Sequence, residues 1–450
     1  MAKRKRGEKK LLSQTHMIVA GFFIIISIGT VLLMLPLASR SGRSTDFISA
    51  LFTATSATCV AGLTVFDTYT HWSVFGQLVI LALVQIGGLG FMSIGVFFAI
   101  FLRRRIGLRE RGLLQESVSA LQIGGIVKLV KKIMKGTLLI EGIGGILLSV
   151  RFVPEMGLLR GIYNGFFHSI SAFCNSGFDL MGKYEPYSSL MHFYDDPVVN
   201  LVIVFNLVSG SLGFIVWDDI SMNKWHFRKY MLHTKLVLVS TLSLLIGGGV
   251  LFAVFERNNI LADMNGLQRF WVCFFGSASS RTAGFNSIDI AGLTESGKLL
   301  AAILMFIGGS PGSTAGGVKT TTIVVMLIYI WSNLRNKQSC EVFGRRISDE
   351  VIKKAELVFG INLFLAIVAV LAICAFQPLG AADATFEIIA AISTAGMTTG
   401  ITRELVTASR LLVILLMFCG RVGSMTFALS FTERRKTLPV QMPLGKVTVG

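Results

Sequence analysis

Apolar and polar positions along this chain recur in a fixed order, and the order repeats four times. In the first copy a long apolar run (17–37) precedes a shorter one (47–58), a glycine-centred loop, a polar return (67–71) and a second long run (75–102). Later copies occupy 133–153, 162–173 and 198–220; then 236–255, 270–278 and 299–331; then 357–376, 385–392 and 411–431. A helix needs about 20 apolar residues to cross the hydrocarbon core, so the long runs cross and the short ones do not. Non-helical backbone at membrane depth is tolerated only where protein covers it or where it lines water. Internal repetition decides the fold before any single motif does. The pattern predicts an all-α integral membrane protein of four tandem helix–pore-loop–helix repeats. Eight transmembrane helices and four re-entrant pore helices would surround one pseudo-fourfold pore. The repeats fall at 1–127, with a basic N-terminus, 128–224, 225–345 and 346–450, the last including a C-terminal tail.

Each half-span leads into a loop of the same form. These are Cys59-Val60-Ala61-Gly62-Leu63, Cys174-Asn175-Ser176-Gly177-Phe178, Arg281-Thr282-Ala283-Gly284-Phe285 and Ser393-Thr394-Ala395-Gly396-Met397. The glycines are 115, 107 and 112 residues apart. A short helix entering from one side points its partly negative C-terminal end at the membrane centre. Glycine there permits backbone shapes that a side chain opposes. Four such ends with converging carbonyls can replace the hydration shell of an alkali cation. The candidate potassium filter is therefore Val60, Ala61 and Gly62; Asn175, Ser176 and Gly177; Thr282, Ala283 and Gly284; and Thr394, Ala395 and Gly396. Glycine also serves plain helix packing in membranes, and one such triplet among 47 glycines would mean little. Four, each after a half-span, favour a filter.

A second repeated position lies 24 to 33 residues after each filter glycine: Gly87-Gly88-Leu89-Gly90, Gly210-Ser211-Leu212-Gly213, the segment from Gly308, and Gly420-Arg421-Val422-Gly423. Small residues here would bend the inner helices and keep a path open below the filter. The third copy is expanded to Gly308, Gly309, Ser310, Pro311, Gly312, Ser313, Thr314, Ala315, Gly316 and Gly317. Proline and five glycines oppose a helix, so a cavity-lining loop is expected. Such a loop is a candidate gate; the plainer alternative is a static kink. Arg421 places a cation inside an apolar run, where it must face water or a partner. It is expected to act as an electrostatic barrier below the filter or to hold the loop through backbone carbonyls. Lys319 either shares that work or simply snorkels or pairs with a carboxylate. Glu141, inside the first span of the second repeat, reads as a structural pairing rather than a transport site.

Composition agrees with a membrane protein. Charged residues make up 15% of the chain, against about 25% in soluble domains, and the mean hydropathy is +0.69. The net charge of +17 raises a nucleic-acid partner, and the location of the charges excludes it. Basic residues cluster at 3–10, 103–111, 128–135, 224–235, 335–354 and 434–446, alternating with the glycine loops. Positive charge marks the cytoplasmic side, which puts both termini inside and the loops outside. Lipid, and no nucleic acid, is the expected surrounding. The outer segments hold Asp67, Asp179, Glu185, Asp195, Asp196, Asp263, Asp289, Glu295, Asp383 and Glu387. Carboxylates at an entrance raise the local cation concentration. The six scattered cysteines form no Cys-x-x-Cys pair, so neither a disulfide framework nor a metal site is expected. The first apolar run is too long for a cleavable signal peptide and reads as the first span. No phosphate loop, His-Glu-x-x-His or nucleophile elbow is present, which argues against an enzyme.

The four loops, the segment Gly-Ser-Pro-Gly-Ser-Thr-Ala-Gly-Gly-Val-Lys-Thr (309–320) and Arg421 resemble the Trk/Ktr/HKT superfamily of potassium transporters. The resemblance spans essentially the full length and is strongest to the bacterial Ktr transmembrane subunits (KtrB or KtrD). Glycine at all four filter positions matches the potassium-selective pattern; the serine of sodium-preferring plant members is absent. The resemblance implies a homodimer with one pore per protomer in the bacterial cell membrane. It implies a cytosolic ring of RCK-domain subunits (KtrA- or KtrC-like), so that any nucleotide is bound by the partner, and sodium as an activator. It also implies that 308–317 gates the pore, that Arg421 helps close it, and that the tail (437–450) lies near the dimer interface. The competing class is a secondary symporter coupling potassium to sodium or protons by alternating access. Such carriers usually carry paired repeats rather than four filter-like loops. A permease driven by a separate ATPase would need no filter.

Overall fold

The computed structural model describes residues 14–90, 125–337 and 339–423, with 93–95, 107, 112 and 115. The basic segment 3–10, the arginines of 103–111, the basic residues of 434–446 and the tail (437–450) lie outside the described residues.

The first repeat comprises α1 (Gln14–Met34), the half-span α2 (Phe47–Cys59) and the inner helix α3 (Val74–Leu89). The second comprises α4 (Ile126–Met156), the half-span α5 (Leu158–Phe173) and an inner segment broken into α6 (Pro197–Ser211) and α7 (Phe214–Asn223). The third comprises α8 (Leu232–Phe255), α9 (Gly266–Ser279) and a second broken inner segment, α10 (Glu295–Phe306) and α11 (Thr320–Leu334). The fourth comprises α12 (Asp349–Phe376), α13 (Ala381–Ile392) and α14 (Thr407–Val422). Among the described residues, α1, α4, α8 and α12 are long and apolar enough to cross a membrane alone, and the α6–α7 pair has the length and composition of one more if its two bent halves are counted together.

The half-spans contain 13, 16, 14 and 12 residues. At 1.5 Å per residue they reach about 18–24 Å, short of the ~30 Å core. Two start on side-chain caps: Asp46 accepts from Ser49 N at 2.9 Å, and Asn265 forms a capping box with Gln268. Their far ends are enclosed; every residue of α2 from Phe52 onward is buried. The crossing helices show the opposite pattern. Phe23, Ile24, Ile28 and Val31 on α1, and Phe364, Ile367 and Leu371 on α12, stand exposed. In lipid, such apolar stripes are the solvent-facing surface rather than a liability.

The inner helices all yield at glycine. Helix α3 ends at Gly90 (φ +78°) and α14 at Gly423 (φ +95°). The apolar run 198–220, predicted as one span, is bent by 96° between α6 and α7, where Gly213 takes φ +93°, a shape no continuing helix holds. The run 299–331 splits at 307–319, as its glycines and proline predict. A short hairpin pairs Glu341–Val342 with Arg345–Arg346; the hydrophobic pattern does not contain it.

Packing closes the four units into a ring. Each outer helix covers its own half-span. Each inner helix also packs on the next half-span: α3 on α5, α6 on α9, α10 on α13, and α14 back on α2.

A four-loop constriction and the loop beneath it

The backbone of the four loops is the same in every repeat. Val60, Asn175, Thr282 and Thr394 adopt left-handed φ between +50° and +67°. Two residues later Gly62, Gly177, Gly284 and Gly396 adopt φ between +70° and +81°. The intervening amide turns back onto its own half-span: Ala61 N to Ser56 O (2.7 Å), Ser176 N to Ser171 O (2.9 Å), Ala283 N to Ser279 O (2.9 Å) and Ala395 N to Ala390 O (2.8 Å). That satisfies carbonyls left open at the helix ends and holds the middle residue in place.

The middle carbonyls meet the neighbouring glycines. A Cβ built on Gly62 would overlap Ser176 O. On Gly177 it would lie 2.8 Å from Ala283 O, on Gly284 3.0 Å from Ala395 O, and on Gly396 2.7 Å from Ala61 O. The sequence of contacts runs loop one to two, two to three, three to four and four to one. The four middle residues and four glycines singled out from the sequence are thus brought to one constriction, each directly preceded by Val60, Asn175, Thr282 or Thr394. Glycine is required twice over, by its φ and by the oxygen beside it.

On one side the constriction opens into a cavity of about 220 Å³ lined by all four glycines and by Asp67, Asp179, Asp289 and Arg403. Burial pushes Asp179 up to about 7, against a bond from Met181 N that lowers it, and the nearby Asp67 charge adds to the rise. Arg403 stacks its guanidinium 3.6 Å above the Tyr187 ring. Other acids expected at this mouth serve elsewhere. Asp196 caps α6 and pairs with Arg151, and Glu295 pairs with Lys298 at 3.3 Å. Glu387 is fully buried within α13 rather than solvated, because its side chain turns toward Thr398 and Thr402.

Apart from Glu185 among the outer acids, the sequence marks nothing in the 184–191 segment, yet it clasps two loops. Tyr187 Oη donates to Val65 O at 3.1 Å, just past the first loop. Leu190 N donates to Asn286 O at 2.9 Å and Asn286 N to Ser189 Oγ at 3.1 Å, just past the third. Its one further legible signal is a position between two half-spans, which says nothing about contact.

On the other side lies the expanded segment. It is irregular from Ile307 to Lys319. Gly308 N donates to Val318 O (2.9 Å), Ser310 N to Ser211 O (3.0 Å) and Thr314 N to Gly210 O (3.2 Å), while Phe214 N donates to Gly312 O (2.8 Å). The Thr314 hydroxyl donates to Phe173 O at 3.0 Å and stands 3.2 Å from Asn175 Oδ1 in the second loop. A Cβ on Gly316 would overlap the Thr394 hydroxyl of the fourth. Arg421 donates through Nη1 to Thr314 O and through Nη2 to Gly87 O and Gly88 O, the last at 2.9 Å. Lys319 Nζ donates to Ala315 O (2.7 Å) and Gly316 O (3.3 Å). The segment therefore touches the second and fourth repeats, and Arg421 links it to the first. Composition predicts cheap motion; these bonds hold the segment in place.

The inner glycines have a shared task in three repeats. A Cβ on Gly87, Gly210 or Gly420 would overlap the carbonyl of Thr58, Phe173 or Ile392, each four residues before a loop glycine. Behind the second loop, Glu141 accepts from Gln85 Nε2 at 3.1 Å, and Cys174 Sγ lies 3.4 Å from Gln85 Oε1. Its partner is an amide rather than a cation.

Comparison with known proteins shows what this arrangement resembles. The family model of TrkH, described as a cation transport protein, matches residues 2–439. The potassium/sodium uptake protein NtpJ of Enterococcus hirae is 41% identical over 453 residues, covering 99% of each chain. Ktr system potassium uptake protein B of Bacillus subtilis is 40% identical, covering 97% of this chain and 96% of that one. The crystal structure of the potassium transporter TrkH from Vibrio parahaemolyticus has a TM-score of 0.75 over 95% of this chain and 87% of its own. At 18% identity that likeness is one of fold.

Proposed function

The chain belongs to the TrkH family of cation transport proteins, and from that premise we propose that it takes up potassium across the bacterial cell membrane through the four-loop ring. The observation that carries the reading is the closed circuit in which each loop glycine faces the carbonyl side of the next loop. Val60 to Gly62, Asn175 to Gly177, Thr282 to Gly284 and Thr394 to Gly396 form the filter. Carbonyls held this way can exchange with a cation's hydration shell. The buried hydroxyls of Thr282 and Thr394 have no partner among the described residues, which leaves them available to the ion or its water. The segment 308–317 gates the path below, with Lys319 and Arg421 holding it shut. The names of both close relatives are those of uptake proteins, which supports transport over catalysis.

The same reading divides the chain into repeats at 1–127, 128–224, 225–345 and 346–450, with both termini in the cytoplasm. Two copies associate, and a cytosolic RCK-domain ring that binds nucleotide regulates them; the words "Ktr system" in a relative's name agree with an accompanying subunit. Sodium acts as an activator. The test is potassium and sodium flux in proteoliposomes under an imposed voltage, with and without the ring. Potassium flux well above sodium flux, following voltage alone, is expected. Flux that needs a sodium or proton gradient would replace the channel-like reading with symport. Equal flux of the two ions would end the filter reading.

A further inference from the structure

Nine residues before the four loop glycines stand Thr53, His168, Phe275 and Glu387, all buried and all at the same register of their half-spans. Two of them reach forward to the segment leaving the filter. His168 Nδ1 lies 2.7 Å from Asn164 O, which can only accept, so that nitrogen carries the proton. Nε2 is then a bare acceptor and takes the amide of Leu180 at 3.3 Å, three residues past Gly177. Glu387 Oε2 accepts from the Thr398 hydroxyl at 2.8 Å, two residues past Gly396, and Oε1 accepts from Thr402. Thr398 Oγ1 in turn accepts from Gly400 N at 3.0 Å.

The other two do not reach. Thr53 turns its hydroxyl back to Ser49 O at 2.9 Å, and Phe275 has no polar atom to offer. Loop one is held instead from outside by Tyr187, and loop three by Ser189 and Leu190 together with Ser279 at the end of its own half-span, whose hydroxyl donates to Phe285 O. The contact order of the glycines makes loops two and four opposite corners of the ring. Sequence repetition hides this, because nothing in the loop pentapeptides separates one diagonal from the other.

We propose that His168 and Glu387 are positioning residues that set ion selectivity by bracing the second and fourth filter loops from within, across one diagonal of the ring. This rests on the filter reading above. A filter discriminates between potassium and sodium only while its oxygens keep their spacing, so a brace acts on selectivity more than on total flux. At this register the filter is then twofold rather than fourfold. The second and fourth loops take a brace nine residues back, whereas the first relies on the external clasp and the third on that clasp and on Ser279.

The test compares the potassium-to-sodium flux ratio of Glu387→Gln and His168→Phe with that of Thr53→Val and Phe275→Leu, in proteoliposomes. Both ions are read from the same vesicles, so the ratio does not depend on how much protein folds. Each brace variant is expected to lower the ratio about tenfold, the worth of one or two hydrogen bonds, while the other two stay within about twofold of the parent. Gly177→Ser and Gly396→Ser run alongside. If these glycine variants lose selectivity and the brace variants do not, the brace is wrong and the filter stands. If the glycine variants keep the parent ratio, the filter reading itself fails. Equal loss at Thr53 or Phe275, or loss at only one of His168 and Glu387, would overturn the diagonal arrangement.

Discussion

Arg421 donates to the carbonyl of Thr314, 107 residues earlier in the chain, and so ties the fourth inner helix to the irregular segment of the third. Its other nitrogen holds Gly87 and Gly88 of the first. One cation thus bonds carbonyls from two other repeats beside the irregular segment. Hydrogen bonds from a charged donor are worth about 1.5–3 kcal/mol each. Replacing Arg421 by Ala should therefore release the segment and raise potassium leak by about tenfold or more. Deleting 309–316 should have the same sign. Flux measurements on vesicles matched for folded protein check it; unchanged leak with less folded protein would mark a purely structural arginine.

Substitution of the loop glycines should follow the distances around the ring. A serine at Gly62 meets Ser176 O most closely and one at Gly284 meets Ala395 O at 3.0 Å, the widest of the four. Every position also costs about 1–2 kcal/mol for a side chain at left-handed φ. Loss of potassium over sodium discrimination is expected at all four, greatest for Gly62→Ser and least for Gly284→Ser. Competitive uptake of the two ions ranks them.

Asp179 gives the mouth a pH dependence. Burial, with the Asp67 charge adding, raises its carboxyl to about 7, so the folded protein holds a proton there that the unfolded chain has already lost. Folding stability from this group is therefore fully present below the ordinary carboxylate range and is lost as pH rises through about 7. The mouth gains its negative charge as pH passes through that same value. Uptake at low potassium should rise between about pH 6 and about pH 8 by focusing of the field, and more so at low salt. Asp179→Asn should hold uptake at the low-pH level throughout.

The inner glycines separate by what lies beside them. Ala at Gly87, Gly210 or Gly420 would drive a methyl into a carbonyl at the end of a half-span, and overpacking of this kind costs about 1–3 kcal/mol. Gly360, on α12, has nothing within 4 Å of the place an added methyl would take; Ala there should be neutral or stabilising by up to about 1 kcal/mol. Thermal unfolding in detergent distinguishes the two groups.

Apolar run length already separates the long segments from the half-spans, because bilayer thickness is a single external ruler that local composition must meet, but it does not reveal the 96° bend within 198–220. The loop glycines are legible for a similar reason: left-handed φ is a local demand, and Gly62, Gly177, Gly284 and Gly396 answer it at even spacing. The break at 307–319 follows equally from proline and glycine opposing a helix. Contacts between distant parts of the chain carry no such local mark. Nothing in the pattern says that α14 returns to pack on α2, that Arg421 meets Thr314, or that Tyr187 clasps the loop after Gly62. The fate of Glu387 shows the limit most plainly. Its acidity and its place in an outer segment predict a solvated mouth carboxylate, and folding buries it against Thr398 and Thr402 instead. Spacing along the chain determines the elements and their repetition; which side chains share a dry, partnered environment is decided only when the ring closes, because burial and hydrogen bonding are properties of the assembled neighbours.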